Sequence, residues 1–124
     1  MGERINADVE FPLEGLDLSK HVIGKENGGK SLIYDCYAVS NHMGGVGGGH
    51  YTAYAKNPVS NKWYEFDDSS CSSIRSEKPE SQVVSSMAYN LFYRRRDWHE
   101  KNRTEGCNFD KMALRPDMTL ITKK

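Results

Sequence analysis

Apolar and polar positions alternate through the middle of the chain, and glycine, proline and paired polar residues interrupt the alternation. SLIYDCYAVSNH (residues 31–42) is rich in aromatic and β-branched residues and reads as a strand. After a glycine run, HYTAYAK (50–56) predicts a second strand, NPVSN (57–61) a turn and KWYEFDD (62–68) a third strand. SEKPESQVVSSM (76–87) predicts a short helix, with Pro79 tolerated in its first turn. AYNLFYRRR (88–96) reads as a further strand, with Tyr89, Leu91 and Tyr93 on one face and Ala88, Asn90 and Phe92 on the other. Upstream, FPLEGLDLSKHV (11–22) predicts a short extended piece with a turn at Gly15, and GKENGGK (24–30) a polar loop. Residues 1–10 read as a flexible N-terminus, and the polar, irregular stretch 98–124 as a disordered tail. Residues 11–97 thus form one unit, an antiparallel sheet with little helix.

Composition narrows the function classes. Lysine plus arginine and aspartate plus glutamate both total 17 in 124 residues, so no global charge favours nucleic acid or an anionic membrane. No apolar run is long enough to span a bilayer, and MGERINADVEFP contains no apolar segment of the secretory-signal kind. Cys36, Cys71 and Cys107 are odd in number and irregularly spaced, which suits a reducing compartment, cytoplasm or nucleus. Arg94, Arg95 and Arg96 read as a solvated strand end.

The glycine run GGVGGG (44–49) stands directly before His50. Such flexibility is costly to order, so it marks a sharp turn or a close approach of another backbone. A phosphate-binding loop does not fit. GxGxxG fails because its last position falls on His50 or Thr52, and the Gly-Lys-Ser/Thr of a P-loop is absent. If Asn57–Ser60 forms the hairpin loop, Lys56 pairs with Asn61, Tyr54 with Trp63, Thr52 with Glu65 and His50 with Asp67. Directly opposed side chains share a face, with Cβ atoms about 4.5–5.5 Å apart. A histidine beside a carboxylate in that way is oriented by an Nδ1–H···O bond and keeps Nε2 free as a base. His42, His50, Asp67 and Asp68 make a poor metal set, because no third nitrogen or sulfur ligand is nearby.

The string YDCYAVSNHMGGVGGGHYTAYAKN…KWYEFDDSSCSS…AYNLFYRRRD resembles the histidine box of the ubiquitin-specific proteases, cysteine-type deubiquitinases. The resemblance runs from about Phe11 to Asp97. It implies an α+β fold, the C-terminal portion of a papain-like cysteine protease domain, mainly antiparallel β-sheet with a short helix. It implies His50 as general base, Asp67 as the residue that orients it, and Asp68 as a second acidic residue supporting the site. Gly47, Gly48 and Gly49 fall in a loop lining the channel for ubiquitin's Gly-Gly tail, and His42 and Tyr51 match positions near that channel. The implied partners are ubiquitin or ubiquitinated proteins and the part of the catalytic domain that carries the nucleophile; no cofactor, nucleic acid or membrane is implied.

The family's cysteine box, resembling GxxNxGNTCY, does not occur in this sequence, nor do its glutamine box and fingers CxxC pairs. Local thiols are poor substitutes. Cys36 sits mid-strand among aromatics as a small core residue, Cys71 follows two carboxylates that oppose thiolate formation, and Cys107 lies in the tail. Two readings follow: the base-bearing part of a deubiquitinase, or an inactive module that binds ubiquitin or another partner without hydrolysis.

Overall fold

The computed structural model describes residues 5, 7–23 and 32–97. The tail from Trp98 and the whole loop 24–30 lie outside the described residues, as do positions 1–4 and 6 of the N-terminal stretch. Among the described residues, six strands and one short helix follow in the order β1 (Leu16–Asp17), β2 (Ile33–Met43), β3 (His50–Lys56), β4 (Trp63–Asp67), β5 (Ser70–Ser73), α1 (Glu80–Val83) and β6 (Ala88–Arg95). Every pairing is antiparallel. The eleven-residue β2 is the spine. β6 runs along one of its edges, while β1 and β3 share the other, and β4 and β5 extend the sheet beyond β3.

One face carries the core: Phe11, Leu13, Cys36, Val39, Tyr54, Trp63 and Val83, with Ala88 and Tyr93 packed against it. Burial pushes the Cys36 thiol pKa up, as expected of an inert core cysteine. The N-terminal segment is tied onto this face by Cys36 N–H to the Leu13 carbonyl (2.8 Å) and by the Tyr93 hydroxyl to the Pro12 carbonyl (2.6 Å). Asp35 completes the clamp. It accepts the Gly15 N–H at 2.9 Å and both Nε and Nη2 of Arg96, at 2.8 and 2.6 Å. Gly15 makes this turn with φ +76°, a left-handed conformation that glycine adopts without strain.

Helix α1 is a single turn, shorter than the 76–87 span that the sequence predicts. Pro79 takes the N-cap without a side-chain cap bond, and at Val84 the chain is already extended. Val83-Val84-Ser85-Ser86 is a run of weak helix formers, so nothing carries the helix further. β5 was not expected at all. Ser-Cys-Ser-Ser is fully exposed and carries no apolar alternation to announce a strand.

Two register irregularities re-aim aromatic side chains. Between Cys36↔Tyr93 and Ala38↔Phe92 the ladder skips Tyr37, and between Ser40↔Asn90 and Asn41↔Ala88 it skips Tyr89. The expected face assignment of β6 is therefore wrong at its start. Ala88, Leu91 and Tyr93 pair with the inward residues Asn41, Val39 and Cys36, whereas Tyr89 contacts His42 and Tyr51 instead. The arginines at the strand end are also more engaged than a solvated edge: Arg94 lies 4.6 Å from the Tyr37 ring centroid, Arg95 pairs with Asp97, and Arg96 with Asp35.

Candidate active site

The site forms where β3 begins and β4 ends. Asn57 organises the connecting loop, its side-chain oxygen accepting the N–H groups of Val59 and Ser60. The loop is two residues longer than expected, so Lys56 pairs with Trp63 and Tyr54 with Glu65. Tyr54 and Trp63 are thus both core residues but not cross-strand partners. A slip of two residues preserves side-chain facing, so the loss of direct opposition still leaves His50 and Asp67 on one face.

Their side chains meet diagonally, with His50 Nε2 2.5 Å from Asp67 Oδ1. The ring nitrogen is the reverse of the one expected: Nε2 faces the carboxylate, and Nδ1 is the end left for proton transfer. The Asp67 hydrogen bond and charge, with a smaller contribution from Asp68, raise the His50 pKa above its ordinary 6.5. Both partners are about half exposed, at 44% and 51%, so the pair stands at the surface of this sheet.

Asp68 follows as the first of two residues linking β4 to β5, whose ladder runs Asp67↔Ser70. Its φ of +48° is a conformation aspartate tolerates better than most residues. Ligand atoms of His50, Asp67 and Asp68 lie within 4.8 Å of one another. A tetrahedral ion holds its ligands roughly 3.3 Å apart, so His50 and Asp67 would have to separate to share one. Their contact is a hydrogen bond.

The glycine loop divides by position. A Cβ on Gly49 would stand 2.4 Å from the Met43 carbonyl and 2.5 Å from His42 Nε2, and one on Gly44 2.7 Å from the Gly49 Cα. Gly44 and Gly49 therefore close the neck of the loop backbone to backbone. Gly47 and Gly48 meet nothing within 4 Å, so the chain's own packing does not require glycine at those two channel candidates.

His42 and Tyr51 are direct ladder partners on the face opposite His50, with ring centroids 4.6 Å apart. Tyr89, which the alternation of β6 places on one face with Leu91 and Tyr93, joins them at 5.8 Å from His42 and 6.3 Å from Tyr51. The available signal was the crowding of aromatics in β6; the bulge that turns Tyr89 outward leaves no mark on the alternation. Behind the site lies the buried pair Asn41 and Thr52, joined Nδ2 to Oγ1 at 3.2 Å, with Asn41 Oδ1 lacking a partner.

Residues 1–93 match the family model described as ubiquitin carboxyl-terminal hydrolase. The chain is 56% identical over 92 residues to ubiquitin carboxyl-terminal hydrolase 10 of Arabidopsis thaliana, covering 74% of this chain and 9% of that protein. It is 53% identical over 94 residues to ubiquitin carboxyl-terminal hydrolase 12 of Saccharomyces cerevisiae, covering 76% of this chain and 7% of that one. Among solved structures, a SAGA DUB module bound to ubiquitin aldehyde is similar with TM-score 0.55 and 34% identity, over 68% of this chain and 18% of that chain. Another SAGA DUB module matches with TM-score 0.58 and 31% identity, over 73% and 18%. The chain thus spans about a tenth of the length of the relatives it matches. It belongs to the ubiquitin carboxyl-terminal hydrolase family, with the sheet and short helix of the C-terminal portion of a papain-like ubiquitin-specific protease domain.

Proposed function

We propose that this chain supplies the general base of a thiol-dependent deubiquitinase and acts on bonds after the C-terminal glycine of ubiquitin. The observation that carries this reading is the His50–Asp67 contact at 2.5 Å, beside a glycine-necked loop that delivers His50 onto β3. Asp67 accepts the Nε2–H and stabilises the imidazolium, which leaves Nδ1 to take the proton of a cysteine thiol. The thiolate attacks the carbonyl carbon of ubiquitin's last glycine, and the imidazolium returns the proton to the departing amine. Water, deprotonated in turn by His50, then releases the acyl group from sulfur. Asp68 adds negative charge beside the imidazolium. Gly47, Gly48, Gly49, His42 and Tyr51, with Tyr89 beside them, border the path of the substrate tail.

The cysteine comes from the part of the catalytic domain that carries the family's cysteine box. Turnover of a ubiquitin C-terminal fluorogenic amide tests this division. The chain alone is expected to be silent, and the chain mixed with a cysteine-bearing part is expected to turn over until it is alkylated. Activity of the chain alone that is abolished by Cys71→Ser would contradict it. Ubiquitin binding without turnover in the mixture would favour the inactive-module reading.

A further inference from the structure

The end of β3 away from His50 carries a second feature. His50 opens β3 and Lys56 closes it, which separates the two ends by roughly 20 Å at strand rise. Beside Lys56 lies a recess of about 280 Å³ between Leu13, Trp63 and Pro79. It adjoins an open groove of about 650 Å³ floored by Phe11, Pro12, Leu13 and Val84, and Leu13 and Glu80 line both. Together they run between the N-terminal segment and α1.

The rim is one-sided in charge. Glu14 and Glu77 line the recess, Glu10 lines the groove, and Glu80 lines both. Among the described residues lining them Lys56 is the one cation, and its Nζ is already 3.3 Å from Glu14 Oε1. Acidic and basic residues balance over the whole chain, so this concentration is local. Nor does the polar wall offer a free hydroxyl, since Ser81 Oγ donates to the Lys78 carbonyl at 2.8 Å.

We propose that this groove docks a basic peptide segment of a partner protein, with one apolar side chain seated on Pro12 and Val84 above the buried Phe11 and Leu13 and flanking lysines or arginines facing the four carboxylates. An apolar floor gives such a segment its anchor, and the carboxylates select the sign of its flanks. Cationic flanks replace the screening that water and counter-ions otherwise give the rim. A neutral segment gains only the floor, and an acidic one is repelled.

Fluorescence anisotropy of a dye-labelled decapeptide with a central phenylalanine among lysines, titrated with the full chain, tests the proposal. Its glutamate counterpart and an all-lysine peptide without phenylalanine serve as comparisons. The lysine–phenylalanine peptide is expected to bind more tightly than both, with amide shift changes confined to residues 10–14 and 77–84. Replacing Glu10, Glu14, Glu77 and Glu80 by Gln is expected to weaken binding about tenfold or more, since each exposed ion pair contributes about two- to fivefold. Ser81→Arg, which sets a cation inside the groove, is expected to weaken it comparably and provides a second variant on an exposed position. Equal binding of the glutamate or all-lysine peptide, shift changes centred on His50 and Asp67, or full affinity in both variants would overturn the proposal.

Discussion

His50 Nε2 and Asp67 Oδ1 stand 2.5 Å apart although their backbones are not ladder partners. Across the sheet the register pairs Ala53 with Phe66, so one step further Asp67 lies across from Thr52 and reaches His50 only on the diagonal. Diagonal neighbours on one face are within reach of long side chains. The contact therefore depends on side-chain direction as much as on register, and it orients the ring without ladder bonds at that point.

The pH behaviour of His50 follows from this contact. The neighbouring carboxylates raise its folded pKa above 6.5, so its contribution to stability is fully present below the unfolded value and is lost as pH rises through the folded one. Imidazole proton shifts followed by NMR are expected to titrate above 6.5, and Asp67→Asn is expected to return the midpoint toward it. Deprotonation at an unshifted pKa in the unmodified chain would mean the pair does not persist in solution.

Glycine tolerance in the loop is expected to split. Gly49→Ala and Gly44→Ala place a Cβ within 2.4–2.8 Å of backbone, and Gly44 has φ +118°, so each is expected to cost about 1–3 kcal/mol. Gly47→Ala and Gly48→Ala meet no atoms and are expected to stay within about 1 kcal/mol. Denaturant midpoints of the four variants distinguish neck from tip.

Asp35 should report on the clamp between the N-terminal segment, β2 and the end of β6. Arg96 hydrogen bonding, aided by the Gly15 N–H, holds its pKa below 3.8, against the opposing pull of burial. A depressed carboxylate contributes stability above its unfolded pKa, and that contribution disappears as pH falls through the folded one. Asp35→Ala is expected to cost about 1–2 kcal/mol after allowance for its partial exposure, and the loss is expected to shrink in acid. Urea denaturation at neutral and acidic pH measures both.

Asn41 and Thr52 form a coupled buried pair. Thr52→Val strands the Asn41 amide next to its already unpartnered oxygen and is expected to cost about 1–3 kcal/mol. Asn41→Leu combined with Thr52→Val removes both partners and is expected to recover most of that loss. A double-mutant cycle in denaturant gives the coupling directly.

The sequence carried the strands from β2 through β4 and β6 because apolar alternation and glycine or proline breaks mark them. It carried His50 and Asp67 as a facing pair because a slip of two residues preserves facing even when the predicted loop length is wrong. It did not carry β5, whose serines are exposed on both sides, or the bulge at Tyr89, which depends on a pairing irregularity. The choice of Nε2 over Nδ1 was equally illegible, since ring orientation depends on the diagonal reach rather than on residue order. The channel role of Gly47 and Gly48 rests on family resemblance, whereas that of Gly44 and Gly49 in the neck follows from contacts within the chain.

The most direct measurement is turnover of a ubiquitin C-terminal fluorogenic amide by the chain joined with a cysteine-bearing part of the catalytic domain, comparing the unmodified chain with His50→Ala and Asp67→Asn. The account predicts near-complete loss with His50→Ala and a fall of up to about 10⁴-fold with Asp67→Asn, while both variants keep the circular dichroism of the unmodified chain. Undiminished turnover with alanine at position 50 would contradict it.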